Sequence, residues 1–197
     1  MYINYELLIT ALICYGAGSI PFGLFISIIF NKGDPRQLGS KNIGATNVLR
    51  LGGWKLGLFT LILDILKAFV PIKLVVMYNY QYVGISILFV IIGHLYPIWL
   101  GFKGGKGVAT FIGVLLAYNY DYFVIFLITW ILSAFLFKYS SLSALIATLV
   151  NLVIIIKLDS NYSYFILISV LIFIKHSENI RRLFLGNEKK IILKKKN

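Results

Sequence analysis

Long apolar runs separated by short polar stretches dominate this chain. The runs fall at about 5–30, 54–78, 83–100, 108–118, 122–137, 140–157 and 161–175. At about 1.5 Å of rise per helical residue, the longer ones can cross a hydrocarbon core roughly 30 Å thick. The fourth run is short: its length as a helix is about 16 Å, half a core. It starts inside the membrane, extends into the preceding "GGKG", or makes a partial span. Unbroken runs such as "ISILFVII" lack the alternation that a β-barrel strand needs. The pattern predicts an all-α integral membrane protein of about seven transmembrane helices. Connectors at 79–82, 119–121 and 158–160 are tight. Residues 1–197 read as one polytopic membrane domain ending in a short basic tail at about 177–197.

Composition agrees with this reading. The chain is 59% hydrophobic and 13% charged, with mean hydropathy +0.88, which is above soluble domains. At 197 residues there is no room for a large soluble domain. The opening "MYINYELLITALIC" lacks the positive region of a cleaved signal peptide. The single cysteine, Cys14, sits in an apolar run and reads as packing.

Charge sets an orientation. Of the 19 Lys and Arg residues, sixteen fall on one side of a seven-span arrangement. They are Lys32, Arg36, Lys41, Arg50, Lys55, Lys103, Lys106, Lys138, Lys175 and the seven of the tail from Arg181 to Lys196. The positive-inside rule then puts the N-terminus outside and the C-terminus in the cytoplasm. Spans 2, 4 and 6 begin on the cytoplasmic face, directly after "GSKNIGATNVLR", "FKGGKG" and "KYSS". Helix N-termini carry unpaired N–H groups and a positive dipole end, so three such starts on one face favour anions.

Each polar cluster carries its own chemistry. In Gly39–Arg50, Ser40, Asn42, Thr46 and Asn47 offer donors, Gly44 permits close approach, and Lys41 and Arg50 bring charge. A topology loop with helix caps explains the cations but not four uncharged donors. The second cluster, Lys103, Gly104, Gly105, Lys106 and Gly107, resembles a phosphate loop in kind, with backbone donors freed by glycine. It is not a Walker loop, because Leu100 and Gly107 stand where Gly and Ser/Thr are needed. His94 and Pro97 near the same span end fit packing or a kink as well as chemistry. In the third cluster His176 and Asn179 share a face if the last span continues as a helix, with Arg182 nearby. Ser141 in "YSSLS" starts a helix and can reach a ligand. Asp64 and Lys67, three apart inside a span, read as a structural ion pair. The basic tail reads as a binder of anionic lipid headgroups. Neither a Cys–His group nor a carboxylate cluster points to a metal, and no cofactor is expected. No nucleic-acid partner is expected either.

These stretches, together with "GSIPFG" at 18–23, resemble the bacterial membrane glycerol-3-phosphate acyltransferases that use acyl phosphate. The matching motifs are "GSKNIGATNVLR", "GHLYPIWLGFKGGKGVAT", "YSSLSAL" and "HSENIRRLFLGNE". The chain departs from that family at Lys41, commonly Gly there, and at Ser177, frequently Arg. The resemblance implies transfer of a fatty acyl group from acyl phosphate to glycerol 3-phosphate. The products would be lysophosphatidic acid and phosphate, the first acylation of phospholipid synthesis in the bacterial inner membrane. It implies that Ser40 and Arg50 are required and that the "KGGKG" glycines bind glycerol 3-phosphate. His176 and Asn179 would support activity, and Glu188 structure. The His-x4-Asp signature of other glycerolipid acyltransferases is absent, since Trp99 and Arg181 stand at the Asp positions. A transporter of phosphate esters or other anions would also use basic donors. Transporters, however, place their sites near the midplane on broken helices, whereas these clusters lie on one face.

Overall fold

The computed structural model describes residues 5–191, so Lys194, Lys195 and Lys196 of the basic tail lie outside the described residues. All regular structure among the described residues is helical, and each of the seven apolar runs contributes a helix. Among these, Tyr5–Ile29, Tyr80–Leu100, Tyr120–Phe137 and Ser140–Leu158 are long and apolar enough to cross a bilayer. Tyr162–Lys175 and Ser177–Phe184 make a fifth candidate if that pair, bent by 56°, is one span. The chain divides into two units, one ending at Tyr120 and one starting at Asp121.

In the first unit the opening run is interrupted. Helix α1 (Tyr5–Gly18) gives way at Ser19–Pro21 to α2 (Phe22–Ile29). Proline supplies no N–H, so the ladder breaks and leaves carbonyls to satisfy inside an apolar fold. They are satisfied: Trp99 Nε1 donates to Ser19 O at 2.9 Å, and Lys67 Nζ donates to Ile20 O at 2.7 Å. Helix α3 (Ala45–Gly52) is short and separate, ended by Gly53 at φ 84°. The sequence placed "GATNVLR" as a loop leading into the second span; it is instead a helix of its own.

Helix α4 (Trp54–Tyr78), 25 residues long, is the hub of this unit and packs against α3, α1, α2, α5 (Val83–Leu95) and α6 (Val108–Tyr118). Asp64 and Lys67 pair inside it at 2.7 Å with almost fully buried side chains, as their spacing predicts. Helices α1 and α5 approach so closely that a Cβ at Gly18 would strike the Val90 carbonyl, and one at Gly93 the Tyr15 carbonyl. Small residues permit such contact where no hydrophobic force drives helices together in lipid. Helix α6 is the short run, 11 residues beginning right after the glycine loop.

The second unit holds α7 (Tyr120–Phe137), α8 (Ser140–Leu158), α9 (Tyr162–Lys175) and α10 (Ser177–Phe184). Phe126, Ile155, Phe165, Ile168 and Ile172 are fully buried and form its core. Much of α7 faces outward, with Ile131, Leu132, Phe135 and Leu136 exposed, as lipid-facing side chains are. The last run ends as a helix at Lys175, and the condition that it continue straight through Asn179 is not met. It breaks at His176, whose backbone (φ −97°, ψ 4°) leaves the helical range and turns α10 away.

Candidate functional site

The candidate residues sort into three constructions, two in the first unit and one in the second. The first is the loop before α3, organised by one side chain. Asn47 is buried, and its Nδ2 donates to the carbonyls of Pro35 (2.9 Å), Leu38 (3.0 Å) and Asn42 (2.9 Å). Its Oδ1 accepts from Ser40 N at 2.8 Å. Asn42 Oδ1 accepts from Gly44 N at 2.8 Å, a local turn that leads into α3. Asn42 and Asn47, expected as phosphate donors, therefore have these groups engaged in knitting the loop. The half-buried Ser40 is presented by that framework.

Asn47 and Val48 occupy the buried face of α3, while Thr46 and Arg50, four apart, share the exposed one. Arg50 sits in the last turn of α3, not at the positive start of a span. Its charge must act without a helix dipole behind it. Earlier in the loop Arg36 grips Asp34 through Nε (3.0 Å to both oxygens) and Nη2 (2.6 Å). Those bonds hold the Asp34 carboxyl below its ordinary value.

The second construction is the glycine loop. The N–H of Gly104 donates to Leu95 O at 3.2 Å, and that of Gly105 to His94 O at 3.1 Å. The expectation that glycine frees backbone donors fails at these two positions. Glycine is needed there for close packing: a Cβ at 104 would strike the His94 carbonyl, and one at 105 the His94 ring. Lys103 is exposed, Lys106 half-buried, and Gly107 starts α6 from a left-handed conformation at φ 87°. The start of a helix carries a positive dipole end, and Lys103 and Lys106 precede this one in the chain, a combination suited to an anion.

In the second unit the organiser is an acid. Glu188 Oε1 accepts from Ser141 Oγ and from Asn179 Nδ2, both at 2.7 Å, and Oε2 accepts from Arg182 Nε at 2.7 Å. Burial alone would raise this carboxyl, but the three hydrogen bonds and the Arg182 charge outweigh it and hold it low. The chain reaches this position through a left-handed Gly186 (φ 70°) that ends α10. There Asn187 N donates to Arg182 O at 2.8 Å and Gly186 N to Leu183 O at 3.1 Å, the paired bonds of a Schellman turn. The family resemblance gave Glu188 a structural role, but the residue pattern alone did not single it out. The available signal was an acid two residues beyond a helix-ending glycine, with Arg182 one turn earlier.

His176 is buried at the α9–α10 break, with Nδ1 2.8 Å from Ile172 O. A carbonyl only accepts, so Nδ1 carries the hydrogen and Nε2 is the basic nitrogen. Asn179, three residues on, is also buried.

Comparison with known proteins brings these motifs together in one family. The family model for glycerol-3-phosphate acyltransferase matches residues 8–186. A glycerol-3-phosphate acyltransferase of Pelagibacter ubique is 49% identical over 180 residues, covering 90% of this chain and 94% of its own. One from Brucella canis is 48% identical over 189 residues, covering 94% of each. Two crystal structures of PlsY, an integral membrane glycerol 3-phosphate acyltransferase, superpose on this chain. The glycerol 3-phosphate form has a TM-score of 0.89 at 36% identity, covering 94% of this chain and 95% of its own. The lysophosphatidic acid form has a TM-score of 0.86 at the same identity and coverage.

Proposed function

The chain belongs to the glycerol-3-phosphate acyltransferase family, and from that membership we propose the reaction it performs. It moves a fatty acyl group from acyl phosphate to glycerol 3-phosphate, releasing lysophosphatidic acid and phosphate. The carrying observation is the likeness, over 94% of this chain, to an integral membrane acyltransferase with a glycerol 3-phosphate form. The protein works as one polytopic domain of seven spans in the bacterial inner membrane, N-terminus outside and C-terminus in the cytoplasm. Its reacting face is cytoplasmic, and the basic tail lies on anionic headgroups.

The reaction suits residues that bind and orient. A hydroxyl of glycerol 3-phosphate attacks the acyl carbonyl, the new ester C–O bond forms, and the C–O bond to phosphate breaks. The departing phosphate carries off the hydroxyl proton, so the balance requires no strong protein base. What remains is to hold two phosphates and a developing oxyanion. In the first unit Ser40, held by the Asn47-braced loop, and Arg50, with Thr46 on its face, serve as donors to phosphate and oxyanion. Gly44 keeps the backbone of this cradle close, and Asn42 and Asn47 keep its shape. Lys103, Lys106 and the first N–H groups of α6 after Gly107 hold glycerol 3-phosphate, while Gly104 and Gly105 let the loop pack against α5. In the second unit His176 and Asn179 support the reaction, with Asn179 and Ser141 oriented through Glu188. The acyl chain lies among the apolar helices.

The test is purified protein supplied with acyl phosphate and labelled glycerol 3-phosphate, with acyl-CoA as a parallel donor. Lysophosphatidic acid forms from acyl phosphate and not from acyl-CoA. Equal or better use of acyl-CoA would overturn the donor assignment.

A further inference from the structure

Under the glycine loop lies a side-chain cluster that the proposed reaction does not use. Gly105 is buried, and a Cβ built on it would meet His94 Nε2 and come within 2.7 Å of Cε1. The loop backbone thus rests on the imidazole. The ring itself is only 4% exposed, and its Nδ1 lies 4.0 Å from Asp64 Oδ1. That oxygen holds Lys67 Nζ at 2.7 Å, and Lys67 in turn donates to Ile20 O at 2.7 Å, in the break between α1 and α2. The order from the loop inward is Gly105, His94, the Asp64–Lys67 pair, and the interrupted first helix.

A histidine that merely fills core volume needs neither a carboxylate behind it nor a bare glycine before it. Ionic groups in a membrane interior are expensive, and Asp64 of this pair lies directly behind the ring on which Gly105 rests. The ring is rigid and flat, so whatever fixes its position fixes the height of the backbone above it. The segment is bolted down on a second side as well. Tyr15 Oη donates to Tyr96 O at 2.9 Å and accepts from Ile98 N at 3.0 Å, and Trp99 Nε1 donates to Ser19 O.

We propose that His94 is a positioning residue of the 103–107 loop: its ring, backed by the Asp64–Lys67 pair, sets where the loop presents Lys103 and Lys106 to the phosphate of the substrate. The choice of substrate rests on the reading above; the positioning itself does not.

A double-mutant cycle tests it. Gly105→Ala in the native background raises KM for glycerol 3-phosphate about tenfold, with a smaller change in kcat, as lost ground-state binding requires. In a His94→Ala background the atoms that the new Cβ meets are gone, so Gly105→Ala adds less than about twofold. Equal effects in both backgrounds would show that the ring does not set the loop. Should His94→Ala fail to accumulate, His94→Gln replaces it, because a flexible side-chain end also yields to the Cβ. Limited trypsin digestion of the purified protein gives a readout independent of turnover. Cleavage after Lys103 and Lys106 speeds up several-fold in the His94 variant, whereas unchanged cleavage would refute the positioning role. If the unaltered protein makes no lysophosphatidic acid, the reaction assignment fails, and the digestion still decides whether His94 holds the loop.

Discussion

Arg50 and Glu188 show how much a single side chain's surroundings decide. Arg50 is exposed on the last turn of α3, where no helix N-terminus supports an anion and the charge and planar fork of its guanidinium must do so. Arg50→Lys keeps the charge and the topology signal and removes the fork. Losing one charge-assisted hydrogen bond costs roughly 1.5–3 kcal/mol, so activity falls by roughly 10- to 150-fold. Steady-state rates on protein of unchanged yield and melting temperature check this. Near-native activity would reduce Arg50 to a topology signal.

Glu188 makes its case through pH. Its folded carboxyl titrates below the ordinary 4.5, so the charged form is the one the fold stabilises. That stabilisation is complete above the unfolded value of about 4.3–4.5 and is lost as pH falls through the depressed folded value. Melting temperature therefore drops on acidification from neutral pH to below about 4. In Glu188→Gln the starting stability is lower and the acid-dependent drop smaller. Parallel curves for the two proteins would mean that other acids control acid unfolding.

At the scale of elements, breaks do as much as helices. The α1–α2 break and the α9–α10 break each leave backbone carbonyls that side chains then use. Lys67 serves one of them by reaching Ile20 O while paired with Asp64. Removing one partner leaves the other charge buried, a cost of roughly 3–5 kcal/mol, whereas replacing both with apolar residues costs far less. Lys67→Met alone should thus lower the melting temperature of the detergent-solubilised protein more than Asp64→Leu with Lys67→Met. The reverse order would show that Asp64 contributes to stability without Lys67, since both variants lack the bond to Ile20 O.

For the whole molecule the testable property is orientation. Asn119 follows α6 and Asn187 follows α10, so in the proposed topology they lie on opposite sides of the membrane. In a Cys14→Ser background, Asn119→Cys reacts with an impermeant thiol reagent in intact cells, and Asn187→Cys reacts only after lysis. The opposite pattern would invert the protein and put its basic loops outside.

Hydrophobic periodicity by itself determined that the chain is helical and apolar, because run length and composition alone decide what lipid tolerates. It also marked the four motif stretches, since polar residues between such runs stand out. Charge spacing within one helix was legible too: Asp64 and Lys67 pair as their separation requires. The family resemblance marked Lys41 as a departure from glycine, and the structure supplies the reason that glycine suits the site, a left-handed φ of 56°. What only the tertiary structure decided is where each polar group is directed. Asn47 and Asn42 read as ligands in the sequence and serve as loop braces in the fold. The Gly104 and Gly105 amides read as free donors and are bonded to α5 carbonyls. Glu188 and Asp64 gained importance from partners 47 and 30 residues away, Ser141 and His94. A side chain's chemistry is written in its formula, but its partners are chosen by packing, and packing joins residues that sequence spacing cannot relate.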